Sequence, residues 1–331
     1  MNIGLGSHVA GVRLGSVIGH GGMAIVYAGR DEGTGEELVV KVLREEYARD
    51  ERIRRRFRRE AGYAGSLEHP NIVRVLDSGE AGGLPYIVME YVRGTDLRTQ
   101  LAGGTPLDAA ETIRILSQVA EALDAAHAAG LLHRDVKPGN VLIASGAGSQ
   151  PSGRCYVTDF GLSKQPARDS RGLTEPGEFV GSVLYTAPEQ ILGEETDATV
   201  DVYSLGCVLY ECLVGSPPFD GARASELMQA HIEAQPPRPS KQRPGIPSDL
   251  DRVIRRALAK RPGDRYRSCR ELIEAAREAL GLRVGEPSEP SRVSLRLELD
   301  FQAGEARVRF DDGAASVRVA RDQARWRLAS D

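Results

Sequence analysis

The stretch His133-Arg134-Asp135-Val136-Lys137-Pro138-Gly139-Asn140 decides most of what this chain can be. It gathers a candidate base, a cation and a metal-binding amide in one short loop. Asp135 can accept a proton, Lys137 can neutralise negative charge, and Asn140 can offer a neutral oxygen to a hard cation. That combination suits moving a phosphoryl group from a nucleotide to a hydroxyl. The rest of the chain has to supply the parts such a loop needs.

Working outward, three stretches supply them. Gly19-His20-Gly21-Gly22 lies between two predicted strands, where glycines let backbone N–H groups approach phosphate oxygens. Lys41 ends Val39-Val40-Lys41 on the strand after that turn, and Glu60 lies on the predicted helix that follows. Asp159-Phe160-Gly161 adds a hard carboxylate suited to a divalent metal. Taken singly, a hairpin turn, a solvated lysine and an exposed helix carboxylate would each be the simpler reading; jointly they are not.

The set resembles the bacterial, eukaryotic-like (Hanks-type) serine/threonine protein kinases over roughly residues 9 to 282. There His-Arg-Asp is followed by Asn five residues after the Asp, and Lys137 is the serine/threonine form. The resemblance implies a bilobal α+β protein-kinase fold, with a small sheet-rich N-lobe (9–92) and a larger helical C-lobe (93–282). It also implies roles. Asp135 orients the hydroxyl and takes its proton, Lys137 neutralises the transferring phosphate, and Asn140 and Asp159 hold Mg²⁺, with Mn²⁺ as an alternative. Lys41 contacts the α- and β-phosphates of ATP and is held by Glu60. Gly19, Gly21 and Gly22 cradle phosphate; Ala24 replaces the third glycine of the usual pattern.

By the same resemblance, Met89 is the gatekeeper and the backbone at Glu90 and Val92 bonds the adenine edge. Asp96 meets the ribose, and Ile18, Val26, Val39 and Leu142 sandwich the base. His133 is structural, packing beneath Phe160 of the Asp-Phe-Gly161 motif. Glu189 of Ala187-Pro188-Glu189 pairs with Arg265, and Asp201 anchors the catalytic-loop backbone. Ser182 keeps the hydroxyl that bridges Asp135 and Lys137. Arg134 pairs with a phosphorylated activation segment, with Thr174 the main phosphosite and Ser170 behind it.

The secondary-structure pattern fits two lobes. Short β-branched runs fill Val12 to Leu43, and Arg44 to Leu67 reads as one amphipathic helix. Strands are expected at Ile72–Leu76 and Tyr86–Val92, and a long helix over Ala109–Ala129. Helices dominate from Asp197 to Leu280. Ser145 to Gly153, Ser/Gly-rich, reads as a lengthened hairpin tip away from the chemistry. After a Pro/Ser/Glu linker (283–292), residues 293–331 alternate apolar and polar: Val293, Leu295, Leu297, Leu299 and Phe301, then Val308 and Phe310, then Val317 and Val319. This predicts a β-meander of three or four strands. Forty residues make a poor independent core, so its apolar face needs a partner: its own lobe, a second copy forming a homodimer, or a recruited protein.

Bulk properties bound the rest. The chain has 331 residues, 41% of them hydrophobic, and a formal net charge of −4, which gives no call for nucleic acid or an anionic membrane. Only five residues are lysine, and two of them, Lys41 and Lys137, stand at motif positions. The four cysteines show no Cys-x-x-Cys pair, so a reducing cytoplasm is expected. The longest apolar run, Val202 to Val214, contains Glu211 and falls short of the roughly 20 residues a membrane span needs. The arginines at 52–59 spread around a helix among acidic neighbours and read as a solvated face.

The expected function is therefore ATP- and Mg²⁺-dependent transfer of the γ-phosphate to Ser/Thr hydroxyls of proteins, the chain's own activation segment included. The alternatives are a pseudokinase-like scaffold, which would normally have lost one of Lys41, Asp135, Asn140 or Asp159, and a small-molecule phosphotransferase, which would generally lack Ala187-Pro188-Glu189 and Arg265.

Overall fold

β-Branched runs separated by glycine turns build a six-stranded antiparallel sheet at the start of the chain. The computed structural model describes residues 3–282 apart from 66, 147–149, 161–182 and 222, and beyond them the backbone of 296–298, 305–309, 316–322 and 325–328. The side chains of Arg56, Glu60, Tyr63 and Ala64 lie outside the described residues. The chain divides into two units, Met1–Leu282 and Arg283–Asp331.

The strands of the first sheet are β1 (His8–Val9), β2 (Val12–His20), β3 (Ala24–Asp31), β4 (Glu37–Leu43), β5 (Val75–Ala81) and β6 (Leu84–Glu90), in the order β1-β2-β3-β4-β6-β5. Period-two alternation sorts β4. Leu38, Val40 and Val42 join Val12, Leu14, Tyr27 and Val88 in one apolar cluster, while Val39 packs on the other face, which Lys41 shares. The strand expected at Ile72–Leu76 begins at Val75 instead, because Ile72 forms a parallel bridge with Val157 of the lower lobe.

The single helix expected over 44–67 is two: α1 (Glu45–Ala48) and α2 (Glu51–Gly65). Asp50 makes the break, its carboxylate accepting the Arg52 N–H at 2.8 Å and so starting a new helix. Phe57 and Ala61 bury the inner face of α2 against Ile87, Met89 and Val73.

The lower lobe is built on helices. After β7 (Gly94–Asp96) come α3 (Leu97–Gln100) and α4 (Ala109–Ala128), the latter capped by Asp108, which accepts from the Ala110 and Glu111 N–H groups. β8 (Val141–Ala144) and β9 (Cys155–Val157) complete a three-stranded sheet with β7. Gly94 is required there, since a Cβ would collide with the Ile143 carbonyl. α5 (Pro188–Leu192), α6 (Thr199–Val214), α7 (Ala224–Glu233), α8 (Pro239–Gln242), α9 (Asp249–Ala257) and α10 (Cys269–Ala279) follow.

The apolar run at 202–214 is explained by α6. It is buried nearly all round and forms the centre of the lobe, with Leu205, Leu209 and Leu213 fully enclosed. Gly206 lets α9 approach closely, for a Cβ would stand 2.8 Å from that of Ala257. No helix among the described residues is long and apolar enough to cross a membrane.

In the second unit, β10 (Arg296–Glu298), β11 (Glu305–Arg309), β12 (Ser316–Asp322) and β13 (Arg325–Leu328) pair antiparallel in chain order. The register sets Leu297 opposite Val308, Val308 opposite Val317, and Val319 opposite Leu328.

Candidate active site

The loop between α4 and β8 is held almost entirely by hydrogen bonds to its backbone. Asp201, fully buried at the start of α6, accepts the N–H of His133 at 2.8 Å and of Arg134 at 2.6 Å. Arg134 is left with φ +63, a left-handed conformation that a side-chain-bearing residue keeps only when its surroundings enforce it. His133 is fully buried. Its Nδ1 accepts the Asp135 N–H at 3.2 Å and its Nε2 faces the Thr158 carbonyl at 3.0 Å. The ring packs on Phe160 with centroids 4.7 Å apart. His133 is thus a spacer between the loop and the Asp159 segment.

This anchoring presents a compact polar cluster. Lys137 Nζ lies 2.7 Å from Asp135 Oδ2. Asn140 donates its amide N–H groups to the Asp135 carbonyl at 2.8 Å and to Asp135 Oδ2 at 3.3 Å, which leaves its amide oxygen for another partner. Thr158 N–H, next to Asp159, is bonded to the Asn140 carbonyl at 3.0 Å, so the two candidate metal ligands sit on adjoining backbone. Asp159 also takes a left-handed φ of +65 and faces Lys41, whose Nζ is 2.9 Å from Oδ1. Burial works against the Asp159 carboxylate, but the charge and hydrogen bond of Lys41 hold its pKa below the ordinary value. Lys41 is thus paired with Asp159; the side chain of Glu60, the expected partner, lies outside the described residues.

Ile18, on β2, is half exposed, and Val26, Val39, Val92 and Leu142 are partly buried. Register places Val26 opposite Lys41 and Gly19, Val39 opposite Met89, and Leu142 opposite Asp96. Val26, Val39 and Lys41 therefore lie on neighbouring rungs of the upper sheet, and Leu142 belongs to the three-stranded sheet of the lower lobe. Gly21 and Gly22 form the β2–β3 turn, closed by the Gly21 N–H on the Ala24 carbonyl at 2.9 Å. A cavity of about 20 Å³ behind Met89 is bounded by Lys41, Val75, Asp159 and Phe160.

The sequence profile described as the protein kinase domain matches residues 12–276. The chain belongs to the protein kinase family. It is 41% identical over 284 residues to the serine/threonine-protein kinase PknB of Mycobacterium leprae, and 41% over 275 residues to PknE of Mycobacterium bovis. These alignments cover 85% and 83% of the chain but only 44% and 47% of the relatives, so the chain spans about half their length. Among solved structures, the PknI kinase domain of Mycobacterium tuberculosis is 36% identical with a TM-score of 0.68, covering 85% of this chain and all of that one.

The kinase fold makes sense of a second buried cluster. Arg265 and Glu189, each 2% exposed, form a bidentate pair at 2.6 and 2.8 Å. The remaining guanidinium donors reach the carbonyls of Ala259, Thr199 and Lys260. Gly161, Ser170, Thr174 and Ser182 lie outside the described residues.

Several supports of the kinase site were not legible in its motifs. Gln190, buried, donates to the Arg134 carbonyl at 2.9 Å. Asn71 ties the lobes together, its side chain on the Cys155 carbonyl at 2.8 Å and its own carbonyl accepting the Val157 N–H. Asp96 spends Oδ1 as the N-cap of α3, on Thr99 N and Oγ1, and its Oδ2, 3.3 Å from Arg98, is the oxygen left for the expected ribose contact. The Glu90 N–H is taken by the Arg74 carbonyl, leaving the Glu90 carbonyl and Val92 for an adenine edge. Within 145–153, expected to lie away from the chemistry, Gln150 reaches the hinge and bonds both Tyr91 and Arg93.

His127 on α4 is another such support. Its Nε2 lies 2.7 Å from Asp201 Oδ2 and its Nδ1 3.8 Å from Asp124. Burial opposes its charge, but the nearby Asp124 carboxylate and the hydrogen bond to Asp201 prevail and raise its pKa from 6.5 to about 9. A cation with a raised pKa stabilises the fold fully below pH 6.5, and that contribution is lost as the pH rises through about 9. At about 1.4 kcal/mol per pKa unit, the shift amounts to roughly 3 kcal/mol. Denaturant titrations of wild type and His127→Ala should therefore differ most near pH 6 and converge by about pH 10; a gap independent of pH would show that packing alone is lost.

Proposed function

We propose that the chain is an ATP- and Mg²⁺-dependent serine/threonine protein kinase. The observation that carries this is the joining of Asp135, Lys137 and Asn140 to the Lys41–Asp159 pair through one backbone hydrogen bond, Thr158 to Asn140. Asp135 has one oxygen engaged by Lys137 and Asn140, and the other is the acceptor for a substrate hydroxyl. Lys137 lies where charge on a transferring phosphate is offset, and Lys41 reaches the ATP phosphates under the turn at Gly19, Gly21 and Gly22. The free amide oxygen of Asn140 and the Asp159 carboxylate are hard donors that fit Mg²⁺, or Mn²⁺ in its place. The bound metal neutralises phosphate charge. Adenine lies among Ile18, Val26, Val39, Met89 and Leu142, on the backbone of Glu90 and Val92.

Protein substrates, including the chain's own activation segment, are favoured by the buried Glu189–Arg265 strut, which fixes the segment's C-terminal end. Incubation with γ-labelled ATP and Mg²⁺, followed by site mapping on the chain and on a generic protein, tests the reading; a wild type that labels neither sinks it. We assign Thr174 as the main self-modified residue, with Ser170 second, and Arg134, whose side chain is exposed beside the catalytic loop, as its partner. Thr174→Ala should lower the initial rate about tenfold, the equivalent of ~1.4 kcal/mol. Equal rates for mutant and fully phosphorylated wild type would remove Thr174 from the mechanism. The four free, buried thiols favour the cytoplasm, and the strands from 296 to 328 are a contact surface for a second copy or a partner.

A further inference from the structure

The β8–β9 connection is longer than such a hairpin needs, and the described part of it lies on the segment joining the lobes. Gln150 accepts the Arg93 N–H through Oε1 at 3.1 Å and donates from Nε2 to the Tyr91 carbonyl at 3.1 Å. Only one orientation of the amide satisfies both, with oxygen on the N–H and nitrogen on the carbonyl. Ser145, at the other root of the hairpin, donates its N–H and Oγ–H to the Arg93 carbonyl at 2.8 and 3.1 Å. The side chain of Gln150 thus does for residues 91 and 93 what a paired strand would do.

Both ends of this arrangement are fixed. The hairpin is closed by the Gly153 N–H on the Ala144 carbonyl, and Gln118 of α4 donates to the Gly153 carbonyl at 3.3 Å. Arg93, held by its backbone from below, also reaches up to Glu37 of β4 with its guanidinium at 2.7 Å. The groups the hairpin takes flank Val92 and include none of Val92's own. Those are the backbone groups assigned above to the adenine edge.

We infer that the β8–β9 hairpin straps the hinge and that Gln150 is a positioning residue for the nucleotide. The inference rests on the kinase reading and adds a residue to it. A hinge backbone free to leave its binding geometry weakens nucleotide affinity by the fraction of time it is misplaced. The strap removes that freedom. It acts on nucleotide binding and leaves the chemistry of Asp135 untouched.

The test compares wild type with Gln150→Ala and Gln150→Glu. Alanine removes both hydrogen bonds; glutamate keeps the acceptor for Arg93 and loses the donor to Tyr91. Two neutral hydrogen bonds at a half-buried site set the scale: KM for ATP and Kd for a fluorescent ADP analogue should rise about fivefold in the alanine variant. kcat and the KM for protein substrate should stay within about twofold of wild type. Amide exchange at Arg93 should accelerate in the alanine variant and stay close to wild type in the glutamate variant, which keeps that acceptor. An unchanged nucleotide affinity overturns the inference, whether or not Arg93 exchanges faster, and so does a fall in kcat at constant KM for ATP. A wild type that transfers no phosphate would defeat the kinase reading alone, because nucleotide affinity and Arg93 exchange still decide the strap.

Discussion

Asp135→Asn should lower the rate of phosphate transfer by about 10²- to 10⁴-fold, the range expected when a positioned general base is removed. The substitution is nearly isosteric, so the loop should keep its shape. His133 and Arg134 remain tied to Asp201 through their backbone N–H groups, and the Asp135 carbonyl still accepts from Asn140. What changes is the charge. Lys137 now stands 2.7 Å from a carboxylate, and an amide there leaves its cation without that counter-charge and the hydroxyl without its acceptor. Nucleotide affinity should stay close to wild type, since the nucleotide contacts proposed above fall to Lys41 and Asp159, and neither bonds Asp135. Initial rates with labelled ATP, measured beside nucleotide titrations, separate the two effects. Equal labelling by variant and wild type would mean that a different carboxylate accepts the proton.

Much of this site could be read before any coordinates because its reacting groups cluster in short motifs. His133 to Asn140 is continuous in sequence, and Asp159 follows one hairpin later. The groups that hold them were harder to see. His127, Gln190 and Asn71 act on partners 74, 56 and 84 residues away in sequence, and an isolated His, Gln or Asn has no local signature for such a role. The break between α1 and α2 was missed because the charged pattern runs through it; Asp50 decides it by capping the second helix. The strand at 72–76 shifted because Ile72 and Val73 bond to β9 across the lobes, a long-range pairing that overrides local β-propensity. The expectation that the Ser145–Gly153 tip lies away from the chemistry fails at Gln150 for a related reason. Serine and glycine around it mark a turn, and nothing local says which surface the turn will touch.

Arg265→Ala should cost about 3–5 kcal/mol of stability, the loss expected when one partner of a buried ion pair is removed. All the donors of Arg265 are used: two on Glu189, and the others on the carbonyls of Ala259, Thr199 and Lys260. Alanine would leave the Glu189 carboxylate, 2% exposed, without its charge partner and the carbonyls of Ala259, Thr199 and Lys260 without the guanidinium donors. Lysine is no substitute, because one ammonium cannot span the fork and the three carbonyls together. Arg265 also stacks over Tyr203, 4.8 Å from its ring centroid, so α6 loses packing as well. In contrast, Glu189→Gln with Arg265→Met removes both charges while keeping much of the volume. That double variant should be more stable than Arg265→Ala alone, since no unpaired charge stays buried. Denaturant midpoints of Glu189→Gln, Arg265→Met and the double variant, set against wild type, form the cycle that measures this coupling. A double variant as unstable as Arg265→Ala would place the cost in lost packing. A loss below about 1 kcal/mol for Arg265→Ala, the scale of an exposed pair, would mean that water reaches this strut in solution.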